Sequence, residues 1–162
     1  MNIFFLHKNT KKCARYHTDK HVVKMILETC QLLCTAWHII DPEHSLFCPP
    51  YKKTHINHPC AIWVRESSEN YKWLCKLGLS LCKEYTIRYE KTHKCQSILQ
   101  LLNKNIPTCA AMEWSDPPQA MPEEYKCKCS LRAYRNYYIN EKTHLFAWKN
   151  RPKPRWIQNS II

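Results

Sequence analysis

The chain contains a single glycine, Gly78, in 162 residues. Phosphate-cradling loops and dinucleotide-binding fingerprints need several glycines, because their backbone approaches phosphate closely and visits positive φ. Both are excluded. Tight two-residue hairpins also favour glycine, so the fold class moves towards helices joined by loops that the 10 prolines mark. No run of about 18 uncharged apolar residues occurs, which excludes a membrane-spanning helix. There is no C-x-x-C motif, and Cys127-x-Cys129 sets two thiolates too close together for the usual zinc knuckle. The pairs His17/His21, Cys30/Cys34 and His55/His58 each supply half a site at most, so neither a metal nor another cofactor is expected. Acidic residues are scarce, 13 Asp or Glu against 25 Lys or Arg.

What is present follows from these gaps. Eleven cysteines suggest a disulfide scaffold, but the count is odd and Cys30, Cys34, Cys75 and Cys82 sit inside helical apolar patterns. Free cysteine packs as a small hydrophobe, which points to a reduced, intracellular protein, cytoplasmic or nuclear. The apolar run in MNIFFLHKNTKKC is too short for a signal peptide and reads as a buried N-terminal segment. The net charge of +12 implies a polyanionic partner. Between Lys126 and Arg155 basic residues outnumber the single acid, Glu141, and Tyr134, Tyr137, Tyr138, Phe146 and Trp148 are interleaved with them. That composition grips phosphates and stacks on bases; the plainer alternative is a solvated helix face whose aromatics point inwards.

Periodicity gives an all-α chain. A core helix runs from about Thr18 to Trp37, with Thr18 or Asp19 as its N-cap. The proline-containing stretch Asp41–Asn57 is a long loop, a class usually functional or mobile. Asn57 or His58 caps a short helix with Pro59 in its first position, a break falls at Ser67 and Ser68, and a second long helix follows from Tyr71. Ser97–Asn103 is a short helix, Thr108–Pro122 another loop, and a third long helix spans Ser130–Trp148. The expected architecture is a single compact domain, residues 1–150, of three long and one or two short helices with long proline-containing loops. Residues 151–162 form a basic extended tail.

The first long helix carries the chemistry. His17, His21, Lys24 and Glu28 recur at helical spacing and form one polar stripe on an otherwise apolar cylinder. Burying a Lys and a Glu is costly unpaired and often only neutral when paired, so the stripe meets water in a cleft or forms a structural ion pair; the cleft is the better reading. Glu28 on an apolar helix has its proton made useful, His21 shuttles protons near neutral pH, and a desolvated Lys24 is a nucleophile that forms Schiff bases with sugar aldehyde carbons.

DKHVVKMILE, Asp19 to Glu28, resembles the signature helix of the small phage pyrimidine-dimer DNA glycosylases of the endonuclease V type. These carry an Asp, a His two residues on and a Glu seven residues after that, a spacing that Asp19, His21 and Glu28 reproduce. THINHP (Thr54 to Pro59) is similar to the middle of bacterial relatives, and YRNYY (Tyr134 to Tyr138) to an aromatic-basic C-terminal stretch. WVRESSENY and PPQAMPEEY also resemble small phage and giant-virus proteins. The resemblance implies a DNA glycosylase with associated AP-lyase activity. An N-terminal α-amine attacks C1′ of a damaged nucleotide, displaces the base and leaves a Schiff base that permits strand cleavage, with the Glu orienting and protonating. An α-amine suits this because its ordinary pKa, about 7.7–8.0, leaves much of it neutral at physiological pH.

Asn2 disfavours removal of the initiator, so the amine is expected to be that of Met1, with Lys24 as the fallback nucleophile. Asp19 is expected to cap the helix and orient His21. The family has a basic residue where Leu27 stands, so substrate contacts are expected from Asp19, Lys24, Asn57, His58, Arg65, Gln119, Arg132, Arg135 and Tyr138. The partner is nucleic acid, duplex DNA first, or a nucleotide. The alternative is a non-catalytic nucleic-acid or small-nucleotide binder that uses the same polar pocket.

Overall fold

The N-terminal segment belongs to no helix and is packed into the core. Ile3, Phe4, Phe5 and Leu6 are all buried, and helices close around them. The computed structural model describes residues 1–158. Its helices are α1 (Thr10–Tyr16), α2 (Asp19–Ile40), α3 (Pro59–Glu66), α4 (Ser68–Tyr89), α5 (Gln96–Lys104), α6 (Ser130–Glu141) and α7 (Arg155–Gln158), with 3-10 turns at Glu123–Tyr125 and Thr143–Leu145. No named strand occurs among the described residues; Ser67 and Ala111 form an isolated bridge. The all-α expectation holds. α2 and α4, both 22 residues long, pack on each other. α1 lies against α4, α3 against both, and α5 closes the far end.

The local chemistry explains most boundaries. His58 Nδ1 accepts the Cys60 N–H at 3.1 Å and Pro59 opens α3, where a missing N–H costs nothing. Ser67, with an extended φ of −140°, breaks α3 from α4 and caps α4 through Oγ and the Glu69 N–H at 3.2 Å. α1, which periodicity did not single out, is a helix because Asn9 caps it and Cys13 and Ala14 bury its inner side. The long loop after α2 is held by the Asp41 carboxylate, which accepts the N–H groups of Ser45, Leu46 and Phe47 at 3.1, 2.7 and 3.2 Å. Those donors favour the charged form and hold the Asp41 pKa at about 2. With no glycine outside α4, positive φ falls to His44, His55, Glu90 and Asn150.

Two expectations need correction at the C-terminal end. α6 stops at Glu141 and does not reach Trp148. The chain turns back so that the Ala147 carbonyl accepts the Asp19 N–H at 2.9 Å and the Lys149 N–H meets the Asp19 carboxylate at 3.0 Å. Tertiary hydrogen bonds at the start of α2 win over continued helix there. The tail beyond Asn150 is not simply extended: Arg155–Gln158 forms a helical turn, and Pro154 and Ile157 are buried. The remainder of the expected tail, residues 159–162, lies outside the described residues. No helix among the described residues is long and apolar enough to cross a membrane.

Gly78 marks the closest approach in the bundle. A Cβ there would lie 2.9 Å from both Leu99 Cδ2 and Thr29 Cγ2. Gly78→Ala gains roughly 1 kcal/mol of helix propensity, but overpacking against the stiff Thr29 costs about 1–3 kcal/mol. The net expectation is a modest loss of stability, about 1 kcal/mol, read as a lowered urea midpoint with an unchanged m-value.

Candidate active site

The chain end meets the α2 carboxylate. Glu28, only 9 % exposed, projects from the middle of α2 towards residues 1 and 2. Its Oε2 accepts the Asn2 backbone N–H at 3.0 Å and lies 4.0 Å from the Met1 amine. Its Oε1 is 3.5 Å from Lys24 Nζ. The Lys24 side chain is 67 % exposed, so the stripe runs from a buried carboxylate out to water rather than forming a sealed ion pair. That exposure also deprives Lys24 of the apolar pocket a lysine nucleophile uses.

Asn2 holds the amine in place. Its Nδ2 donates to the Ala120 carbonyl at 3.0 Å, and its Oδ1 accepts from the Ile3 N–H at 2.8 Å and from the Cys60 thiol at 3.6 Å. The Tyr134 hydroxyl, 3.1 Å from the same Oδ1, also reaches the Pro118 carbonyl. Tyr134 is fully buried, which pushes its pKa well above the usual tyrosine value and keeps the hydroxyl a donor. Neither Asn2 nor Tyr134 stands among the site residues expected from the sequence. The signal available was an amide directly behind Met1 and ahead of a buried apolar run.

His58 completes this side. Because Nδ1 accepts the Cys60 N–H, its ring proton sits on Nε2. Burial lowers its pKa, and the positive charge of the Met1 amine lowers it further, against an upward pull from Glu28. Asn57 beside it is exposed. Arg65 Nη1 donates to the Ile56 carbonyl at 2.8 Å, so it pins the loop that presents His58 rather than standing free for substrate.

The remaining expected residues lie elsewhere and do structural work. His21 is buried, stacks on Phe4 with ring centroids 4.4 Å apart, and shares a 2.7 Å hydrogen bond between Nδ1 and the Tyr138 hydroxyl. Desolvation, reinforced by the charges of His17, Lys142 and Lys24, pushes its pKa down to about 3. A ring neutral throughout the physiological range is no proton shuttle, and its place here is to brace the N-terminal segment. Tyr138, fully buried, also accepts the Thr18 N–H at 3.0 Å and is packing rather than a substrate contact. Tyr138, not Asp19, orients His21. Asp19 instead accepts Arg88 Nη1 at 3.0 Å and the Lys149 N–H. Thr18 occupies the cap position, but its hydroxyl makes no capping bond.

Gln119 brackets the Cys127 main chain, accepting its N–H at 2.9 Å and donating to its carbonyl, which steadies the loop whose Ala120 holds Asn2. Arg135 Nε donates to the Leu6 carbonyl at 3.1 Å and its guanidinium lies 5.0 Å from the Trp156 ring centroid. Arg132 is exposed on α6. No group of three or more His, Cys, Asp or Glu among the described residues is placed to hold a metal.

A buried N-terminal segment thus brings the chain end to a helix carboxylate. The family model for pyrimidine dimer DNA glycosylase matches residues 1–97. The chain belongs to that family. No curated protein and no solved structure matches it. Membership of the pyrimidine dimer DNA glycosylases makes DNA the substrate class and base removal in DNA repair the setting. The matched span carries the amine, Asn2, Glu28 and His58, while Ala120 and Tyr134, which fasten Asn2, lie beyond it.

The buried histidines of this glycosylase set an acid limit. His17, whose ring donates to the Cys13 carbonyl at 2.8 Å, is held down to about 4, chiefly by burial and then by Arg88. The folded pKa values of His17 and His21 lie below the ordinary 6.5, so the unfolded chain binds more protons between those limits. Their stabilising contribution is full above 6.5 and is lost as pH falls from 6.5 towards 4 and below. Urea midpoints should decline over that interval, and His17→Gln should make the decline shallower.

Proposed function

We propose that this glycosylase works as a bifunctional enzyme on damaged pyrimidine nucleotides in duplex DNA, with the Met1 α-amine as nucleophile and Glu28 as the proton-handling group. The observation that carries this reading is the 4.0 Å approach of the Met1 amine to Glu28 Oε2, with the carboxylate anchored by the Asn2 N–H. In the reading, the neutral amine attacks the sugar C1′ and its nitrogen forms the new bond. The glycosidic bond breaks, and the base leaves with the electron pair and takes up a proton. Ring opening gives an iminium between the Met1 nitrogen and C1′. That cation acidifies C2′–H, and loss of this proton with expulsion of the 3′-phosphate cleaves the strand. Water then hydrolyses the imine and frees the amine.

The neighbouring groups fit these demands. Glu28 is near enough to take the ammonium proton and to stabilise the cationic sugar, a role worth about 10²–10⁴-fold for a positioned acid–base group. His58 is neutral at Nδ1 and presents an Nε2–H on the same side, suited to a sugar or phosphate oxygen. Lys24, in water beside Glu28, suits a phosphate of the damaged strand. The fixed N-terminal segment supplies the positioning that makes a weak nucleophile effective.

Borohydride reduction on duplex DNA with an abasic site tests the mechanism. The expected product is a covalent adduct whose protein end maps to Met1. Acetylation of the N-terminus or one added N-terminal residue should abolish it. Glu28→Gln should retain DNA binding and slow base release on pyrimidine-dimer DNA by about 10²-fold or more. An adduct on Lys24, or undiminished turnover by the acetylated protein, would refute the amine assignment.

A further inference from the structure

Away from Glu28, α1 and the C-terminal tail enclose a cavity of about 640 Å³ whose walls carry Lys12, Arg15, Arg151, Lys153 and Arg155 together with Tyr16, and no acid. Five cations around one hollow repel one another unless an anion shares it. The geometry points to a second DNA-backbone seat, distinct from the amine site, in which these cations hold phosphates of the same duplex. This rests on the DNA reading of the family.

One wall of the hollow is anchored on buried charge. Arg151 makes a two-pronged contact with Glu84, Nε to Oε2 and Nη2 to Oε1, both at 2.9 Å. Glu84, 4 % exposed, also meets the fully buried Arg88 at 3.3 Å. Arg88 donates to the Arg15 and His17 carbonyls at 3.1 and 2.8 Å and pairs with Asp19. The Arg15 backbone on one wall, through Arg88, and Arg151 on the other are thus both tied to Glu84. Those carboxylates are consumed inside the protein, which leaves the charges of Lys12, Arg15, Lys153 and Arg155 for a ligand. Trp156, stacked edge-on to Tyr16 at 5.9 Å, seats the tail against α1.

Charge favours a polyanion over a small anion: the cations left for a ligand line one hollow between α1 and the tail, and a duplex presents a run of phosphates to all of them. Of the seat's residues, Lys12, Arg15 and Tyr16 lie within the family-matched span and residues 151–158 beyond it.

The test is the salt dependence of binding to an undamaged duplex, with the double variant Lys12→Ala/Arg155→Ala, both exposed side chains. Each neutralised phosphate contributes about 0.9 to the slope of log K against log salt. The double variant should lower that slope by about 1 to 2, while saturating abasic-site DNA still gives the Met1 adduct. Lys12→Arg/Arg155→Lys should restore the slope. A control that removes two exposed charges from α4, Lys76→Ala/Lys83→Ala, should change it little. An unchanged slope in the first variant, an equal drop in the control, or equal protection by inorganic phosphate alone would overturn the proposal. Failure of the wild-type chain to bind duplex at all would instead remove the DNA reading beneath it.

Discussion

The contact between Glu28 and the chain end is the constraint to which the rest of the molecule answers. A terminal amine is charged and mobile, and water is its natural surroundings. Here four apolar residues after Asn2 are buried, the Asn2 backbone N–H goes to Glu28 on α2, and its side-chain amide bonds Ala120 and Tyr134. A carboxylate left inside an apolar bundle would be costly alone. An amide N–H, the terminal amine and a lysine at the rim offset that cost and hold the chain end in a defined place.

Charge is sorted by depth. Asp19, Glu28, Asp41 and Glu84, from a small supply of acids, are all engaged inside the protein, with arginine, with backbone N–H groups or with the amine. Each internal carboxylate serves a joint: Asp41 ties the long loop, Asp19 the end of α6, Glu84 the tail. The consequence for the outside is an excess of uncompensated lysine and arginine, which is what a protein that must find DNA needs.

Much of this was legible in the sequence. The apolar stripes of α2 and α4, the Pro59 entry to α3, the Ser67 break and the place of Glu28 on a mainly apolar helix all follow from local rules of periodicity and capping. What local rules could not show was where distant groups would go. Asp19 looks like a helix cap, yet Arg88 and Lys149, far along the chain, claim its carboxylate. His21 looks like a proton carrier, and it is the burial under Phe4 and Tyr138 that disqualifies it. The sequence pattern of α6 continues past Glu141, but the hydrogen bonds that end it belong to α2. Arg65, Gln119 and Arg135 look like free ligand groups, and each is bound to a main-chain carbonyl or amide that no spacing reveals.

The attachments of Asn2 span most of the polypeptide: 118 residues separate it from Ala120 and 132 from Tyr134. Residues 1–97, the span shared with the family, hold Glu28, Ile3 and Cys60 against Asn2 but lack Ala120 and Tyr134. Closing loops of that length is an entropically expensive step. The chain end is therefore seated by contacts that draw on nearly the whole polypeptide, and a change in the loop at Ala120 or in α6 at Tyr134 is felt at residue 2.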